Sequence, residues 1–216
     1  MKLIITQDNI EGYTAAWVAK RQLKGECELA FFKAGDRLPE ASGKDIMIFG
    51  ISFARHVVQR LAKEAASEHR EFRLFDNDIR ARAELAGIKE AKIVMYATPA
   101  RLAWEHLRCD FKVKVGPSKS VDFRVNTAPW IVDYTEAEKG WKWPNLPRHF
   151  LKLAIDNCYK RELEEWDELA TRDLAAVFEQ GKEFAKTQQK KEEIADGKDS
   201  EAGEPSKVSR RKSSKQ

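Results

Sequence analysis

At 216 residues, with 42% hydrophobic and 34% charged side chains including six Trp and eleven Phe, the chain has a soluble globular composition, sized for one domain plus an appendage. The formal net charge of +4 gives no global basic field, so any nucleic-acid contact has to come from local patches. The opening apolar run, residues 3–5, is too short for a signal segment or a membrane span, which predicts a cytoplasmic protein with no membrane partner.

Short apolar runs at residues 3–5, 29–32, 46–49, 72–75 and 93–96 alternate with helix-like stretches at 13–23, 54–66 and 98–107. Uninterrupted apolar strands joined by short connections predict an α/β fold, a mostly parallel sheet flanked by helices on both faces. Asp78 is placed to cap the helix that runs through Leu85. Cys27, Cys109 and Cys158 lie far apart, odd in number and without zinc-site spacing, so they are expected to be free thiols.

Beyond residue 107 the pattern changes. Phe111, Val113 and Val115 alternate with Lys112 and Lys114, and after Gly116, Pro117 and Ser118 the residues Val121, Phe123 and Val125 alternate with Asp122 and Arg124, which predicts an inserted β-hairpin over about 110–126. One hairpin face would pack while Lys112, Lys114 and Arg124, with Lys119 near the tip, made the other positive. A basic ribbon of this kind suits phosphate backbones without reading sequence, and a solvated hairpin face is the competing reading. Residues 1–147 are thus expected to form the α/β domain. Residues 148–195 follow as a C-terminal helical extension, proline-free and apolar at Leu151, Ile155, Leu163, Trp166, Leu169, Leu174, Val177 and Phe178, and 196–216 as a disordered basic tail.

Five pieces of the chain, in order, resemble the motifs of the DHH phosphoesterase superfamily. Asp8, Asn9, Ile10, Glu11 and Gly12 are similar to the first motif, two Asp and a Gly ahead of a small-residue helix. Gly50, Ile51 and Ser52 stand where the family has Asp, an apolar residue and Ser, and Asp76, Asn77 and Asp78 stand for the Asp-His-His triplet. Residues 96–107, with Leu102, Ala103, Trp104 and Glu105, resemble the Ser-Gly-Ala helix, and Glu136 and Glu138 before Trp141 resemble the acidic pair of the fourth motif. The likeness runs on through residues 178–184, which resemble the lead-in to the family's second, substrate-capping domain, a domain this chain is expected to lack.

The resemblance implies a two-metal phosphodiesterase site, with Mn²⁺ or Mg²⁺ clamping the attacking and leaving oxygens. By position, Asp8, Glu11, Asp76, Glu136 and Glu138 would be the metal ligands, with Asp8 and Asp76 the residues on which catalysis rests. Gln7, Gly50, Asn77 and Asp78 replace a His, a ligand Asp and the two His of the family pattern, and amides cannot serve as acid or base near neutral pH. The sequence therefore favours a degenerate family member that binds nucleotides or short RNA or DNA with weak or no hydrolysis. The alternatives are an active Mn²⁺- or Mg²⁺-dependent phosphodiesterase and a protein-interaction module, binding another protein or a second copy of itself, that exposes an apolar stripe along Leu163, Trp166 and Leu174.

Overall fold

The structure, a computed structural model, describes residues 1–33, 35–107, 113–114, 120–121, 128–136, 145–160 and 162–201. Five strands, β1 (Lys2–Gln7), β2 (Cys27–Phe32), β3 (Asp45–Phe49), β4 (Phe72–Asp76) and β5 (Ala91–Ile93), form one sheet in the order β2-β1-β3-β4-β5, every neighbouring pair parallel. Four helices are interleaved with or follow them: α1 (Ile10–Gln22), α2 (Arg55–Ser67), α3 (Ile79–Glu84) and α4 (Pro99–His106). The α/β architecture expected from the alternating pattern is the one found.

The period-two alternation of a strand divides the core between two faces. Leu3, Ile5, Ile46, Ile48, Phe72 and Leu74 point to the side covered by α2 and α3. Ile4, Met47, Phe49 and Phe75 point to the other side, which α1, α4, α5 (Trp130–Thr135) and the C-terminal helices cover. Because both faces are buried at the centre of the sheet, β1 and β3 carry unbroken apolar runs, Leu3 to Ile5 and Ile46 to Phe49.

Two boundaries differ from expectation. Helix α1 starts at Ile10 because the Asn9 side chain accepts a hydrogen bond from the Gly12 N–H at 2.9 Å, an N-cap that brings the polar motif residues into the first turn. The last strand ends at Ile93, not at 96. It pairs only with β4, whose ladder stops at Asp76, so the chain turns away and leaves Tyr96 97% exposed. Asp78 caps α3 as expected, accepting from the Arg80 N–H at 2.8 Å.

The helix-prone C-terminal stretch is three helices, α6 (Arg148–Cys158), α7 (Leu163–Thr171) and α8 (Leu174–Glu201). The last begins where Asp173 accepts from the N–H groups of Ala175 and Ala176. Folding back lets the stripe bury itself: Trp166 and Leu169 are in the core, and the Trp166 indole N–H donates to Thr14 Oγ1 on α1 at 3.3 Å. Helix α8 runs to Glu201, beyond the expected start of the tail, and residues 202–216 lie outside the described residues. Of the hairpin, β6 (Val113–Lys114) and β7 (Ser120–Val121) are described and pair antiparallel with Val113 opposite Val121. Cys27 is a free, half-buried thiol, and among the described residues no helix is long and apolar enough to cross a membrane.

Helix α8 crosses α6 at Gly181, where a Cβ would lie 1.9 Å from the Phe150 carbonyl oxygen. Gly to Ala within a helix ordinarily stabilises by about 0.5–1 kcal/mol. Here the backbones must separate, so Gly181→Ala is expected to destabilise by about 1–3 kcal/mol. Thermal unfolding followed by circular dichroism checks the sign, and an unchanged or raised Tm would contradict the close crossing.

Candidate functional site

In a sheet ordered β2-β1-β3-β4-β5 the connections leave β1 and β3 in opposite directions, so the crevice at their carboxyl ends is where such folds bind ligands. Side-chain amides span that crevice. The Gly12 N–H donates to Asn9 Oδ1 at 2.9 Å, Asn9 Nδ2 donates to Gln7 Oε1 at 2.7 Å, and Gln7 Nε2 donates to the Gly50 carbonyl across the strands. Every link runs donor to acceptor in one direction, and none of the side chains ionises.

Asp8, next to this chain, has its carboxylate 2.7 Å from Lys33 Nζ, just beyond the end of β2. The hydrogen bond to Asp8 and the charge of Asp8 hold the Lys33 ammonium above its ordinary pKa. Asp76 ends β4 and is 2% exposed. It accepts from the Ser52 hydroxyl and from the backbone N–H groups of Asn77 at 2.7 Å and Asp78 at 3.4 Å. Ser52 and Asp76 thus meet across the ends of β3 and β4, and the carboxylate is further occupied by donors from its own turn.

Gly50, where the sequence resemblance would place an Asp, has φ +75°, and a Cβ there would sit 2.2 Å from Pro99 Cγ. The first residue of α4 therefore fills the place where a side chain from position 50 would project. Beyond it, Thr98 caps α4, accepting from the Arg101 N–H at 3.3 Å, and Arg101 reaches to the end of α5. Its guanidinium binds Glu136 through two bonds, Nε to Oε1 at 2.9 Å and Nη2 to Oε2 at 3.0 Å, and donates to Asp133 at 2.5 Å. Asp133 is 1% exposed. Burial works against the charged guanidinium, but the hydrogen bonds and charges of Glu136 and Asp133 outweigh it and raise the Arg101 pKa.

Glu11, in the first turn of α1, stands apart from these groups. Burial raises the pKa of its carboxyl, and it lines two hollows facing α6. The expected ligand set is therefore distributed: Asp8 on Lys33, Asp76 on Ser52 and its own turn, Glu136 on Arg101, and Glu11 turned toward α6. As arranged, these donors do not fit a divalent ion, which needs several oxygens converging on one point and not already bound to ammonium or guanidinium groups. Among the described residues no group of three or more His, Cys, Asp or Glu side chains is placed to hold a metal.

Lys114 lies in β6. Glu138, Lys112, Lys119 and Arg124 lie outside the described residues. Lys33 and Arg101, which neutralise two of the expected ligands, were not singled out by sequence reasoning. Arg101 carries a signal in retrospect, a charged residue directly before the buried Leu102, Ala103 and Trp104, but its partner lies 35 residues away.

Comparison with known proteins returns no matching family model and no matching curated protein. Among solved structures the chain is similar to an uncharacterized protein from Helicobacter pylori G27, at 12% identity and a TM-score of 0.44, over 84% of this chain and 68% of that one.

Proposed function

We propose that this chain is a DHH-type domain that has exchanged metal-dependent hydrolysis for binding of phosphate-containing ligands, nucleotides or short nucleic acid. The observation that carries the reading is that the carboxylates at the strand ends and at the end of α5 have their counter-charges and donors built in: Lys33 for Asp8, Arg101 for Glu136, Ser52 and two backbone N–H groups for Asp76. A carboxylate in a two-ion site must face the ions, whereas these are already bound to the protein's own positive and donor groups. The cations of α6, Arg148 and Lys152, stand beside the first turn of α1, which keeps a place where a phosphate could be met.

The interaction-module alternative asked for an exposed apolar stripe. Of the stripe Leu163, Trp166 and Leu174, Trp166 is buried in the chain's own core and Leu163 and Leu174 are half-buried and packed against it, so the stripe supports folding.

Three outcomes are expected. Incubated with Mn²⁺ and a panel of short RNA and DNA oligomers and cyclic dinucleotides, the purified protein should bind panel members without converting them, as read by chromatography. Hydrolysis that is lost in both Asp8→Ala and Asp76→Ala would overturn the proposal in favour of a divergent enzyme. Arg101→Met should destabilise by about 3–5 kcal/mol, because it leaves the buried Asp133 carboxylate and Glu136 without their cation. If Mn²⁺ restores the Tm of that variant, the pair is a metal site after all. Gly50→Asp, which reinstates the family residue, should lower the Tm and confer no hydrolysis, since Pro99 stands in the way and φ is positive.

A further inference from the structure

A feature that the strand-end groups leave unexplained is a trough between the first turn of α1 and α6. It consists of two adjoining hollows, one of about 480 Å³ and one of about 400 Å³, which share Ile10, Glu11 and Lys152 along their common wall. Their sizes fall in the range of small-ligand sites, and their chemistry is graded from end to end.

The first hollow is bounded by Ile155, Tyr159 and Trp166. Trp166 and Ile155 are almost fully buried and make a rigid apolar floor. The Tyr159 hydroxyl is held by Arg172 Nη1 at 2.7 Å and pairs with Gln180 at 3.2 Å, so its ring is fixed before anything binds. The second hollow carries the basic groups Arg148, His149 and Lys152 on successive turns of α6. Arg148 donates to the Tyr134 carbonyl and lies 5.0 Å over the Tyr134 ring, which steadies its charge at this end. Burial pushes the Tyr134 phenol up to about 12, so it stays a neutral donor. Lys152 pairs with Asp156 one turn on, and an ammonium carries three donors.

Between the two ends sits Glu11, a half-buried carboxylate on the wall the two hollows share, with no ion-pair partner among the described residues; burial raises its pKa. A carboxylate facing a cleft without a counter-charge is a natural acceptor for a pair of neutral hydroxyls. An aromatic wall, a hydroxyl acceptor and a cluster of cations thus follow one another along a single trough.

We infer that this trough is a nucleoside monophosphate site, with the base against Tyr159, the sugar hydroxyls on Glu11, and the phosphate at Lys152 and His149 beside Arg148. The inference rests on the phosphate-ligand reading above but moves the ligand away from the strand-end carboxylates to the α1–α6 trough. It gives Glu11 a role in recognition in place of metal binding. The sugar contact makes the site selective for ribose, because a 2′-deoxyribose gives the carboxylate one hydroxyl fewer.

Titration calorimetry on the full chain tests this with AMP, GMP, CMP and UMP, their 2′-deoxy forms, adenosine, ribose 5-phosphate and inorganic phosphate. A ribonucleoside monophosphate should bind at least tenfold more tightly than adenosine, ribose 5-phosphate or phosphate alone, since each leaves at least one part of the trough unfilled. Lys152→Glu and His149→Ala alter exposed side chains and should weaken that binding tenfold or more for the first and severalfold for the second, with unchanged circular dichroism. Glu11→Gln should narrow the gap between ribo and deoxy forms. Binding that is indifferent to Lys152→Glu, His149→Ala and Glu11→Gln would overturn the trough assignment while leaving the phosphate-ligand reading intact. Absence of binding by every nucleotide here and every oligomer in the panel above would overturn both.

Discussion

The strand ends at the β1–β3 crevice impose the constraint around which the site is arranged. Backbone carbonyls and N–H groups that leave a parallel sheet at this point have no further strand to pair with, and if buried they must find other partners. In this chain Gln7, Asn9 and the Gly12 N–H satisfy them through a one-directional series of amide bonds ending on the Gly50 carbonyl. A neutral amide needs no counter-ion, so the crevice is closed by short-range bonds and places no ionisable group between the two strands. The geometry of α1 follows from the same residues, since Asn9 is its cap and Gly12 lies too close to the end of β1 for any side chain: a Cβ would stand 1.8 Å from the Gln7 carbonyl oxygen.

Around this neutral centre the acids are handled one at a time. Asp76 is buried, and a buried carboxylate with fewer than two or three donors would be costly. The Ser52 hydroxyl and two N–H groups of its own turn meet that need. Asp133 is buried as deeply, and there a guanidinium is used, because its planar fork can bind Glu136 through two parallel bonds and still reach Asp133. The Arg101 cluster also ties α4 to α5, so its charge balance is part of tertiary structure. A metal ion in that role would make folding depend on metal supply; a side-chain cation does not.

Much of the scaffold was legible because it follows from periodicity. Unbroken apolar runs gave strands buried on both faces, and Asp78 before an apolar helix gave a cap. The boundaries that slipped did so where tertiary context decides: an edge strand ends with its partner's ladder, so the run Ile93, Val94, Met95, Tyr96 contains one strand residue. The breaks that turn the C-terminal stretch into three helices are partly local, as with the Asp173 cap, and partly set by the need of Trp166 to reach α1. The site was less legible. Asp8 and Asp76 lie at strand ends, Glu11 lies in α1 and Glu136 ends α5, and which cation an acid meets depends on contacts such as Asp8 with Lys33 and Glu136 with Arg101, 25 and 35 residues apart in sequence. Composition and spacing carry no information about such pairings.

The position of Pro99 shows why the altered site is self-consistent as it stands. Proline at the first turn of α4 costs nothing in helix hydrogen bonding, and its ring occupies the volume beside Gly50. The positive φ of Gly50 in turn aims its carbonyl at the Gln7 amide, so the glycine, the proline and the glutamine fit only together. Changing any one of them toward an acidic, metal-facing arrangement leaves the other two strained or unsatisfied. The cooperative fit moves the open, chemically varied surface from the strand ends to the flank of α1, where Glu11 faces α6 across a space that the core does not fill. With the strand-end crevice closed by Gln7, Asn9 and the Gly50 carbonyl, open space remains where elements stand apart, as α1 and α6 do.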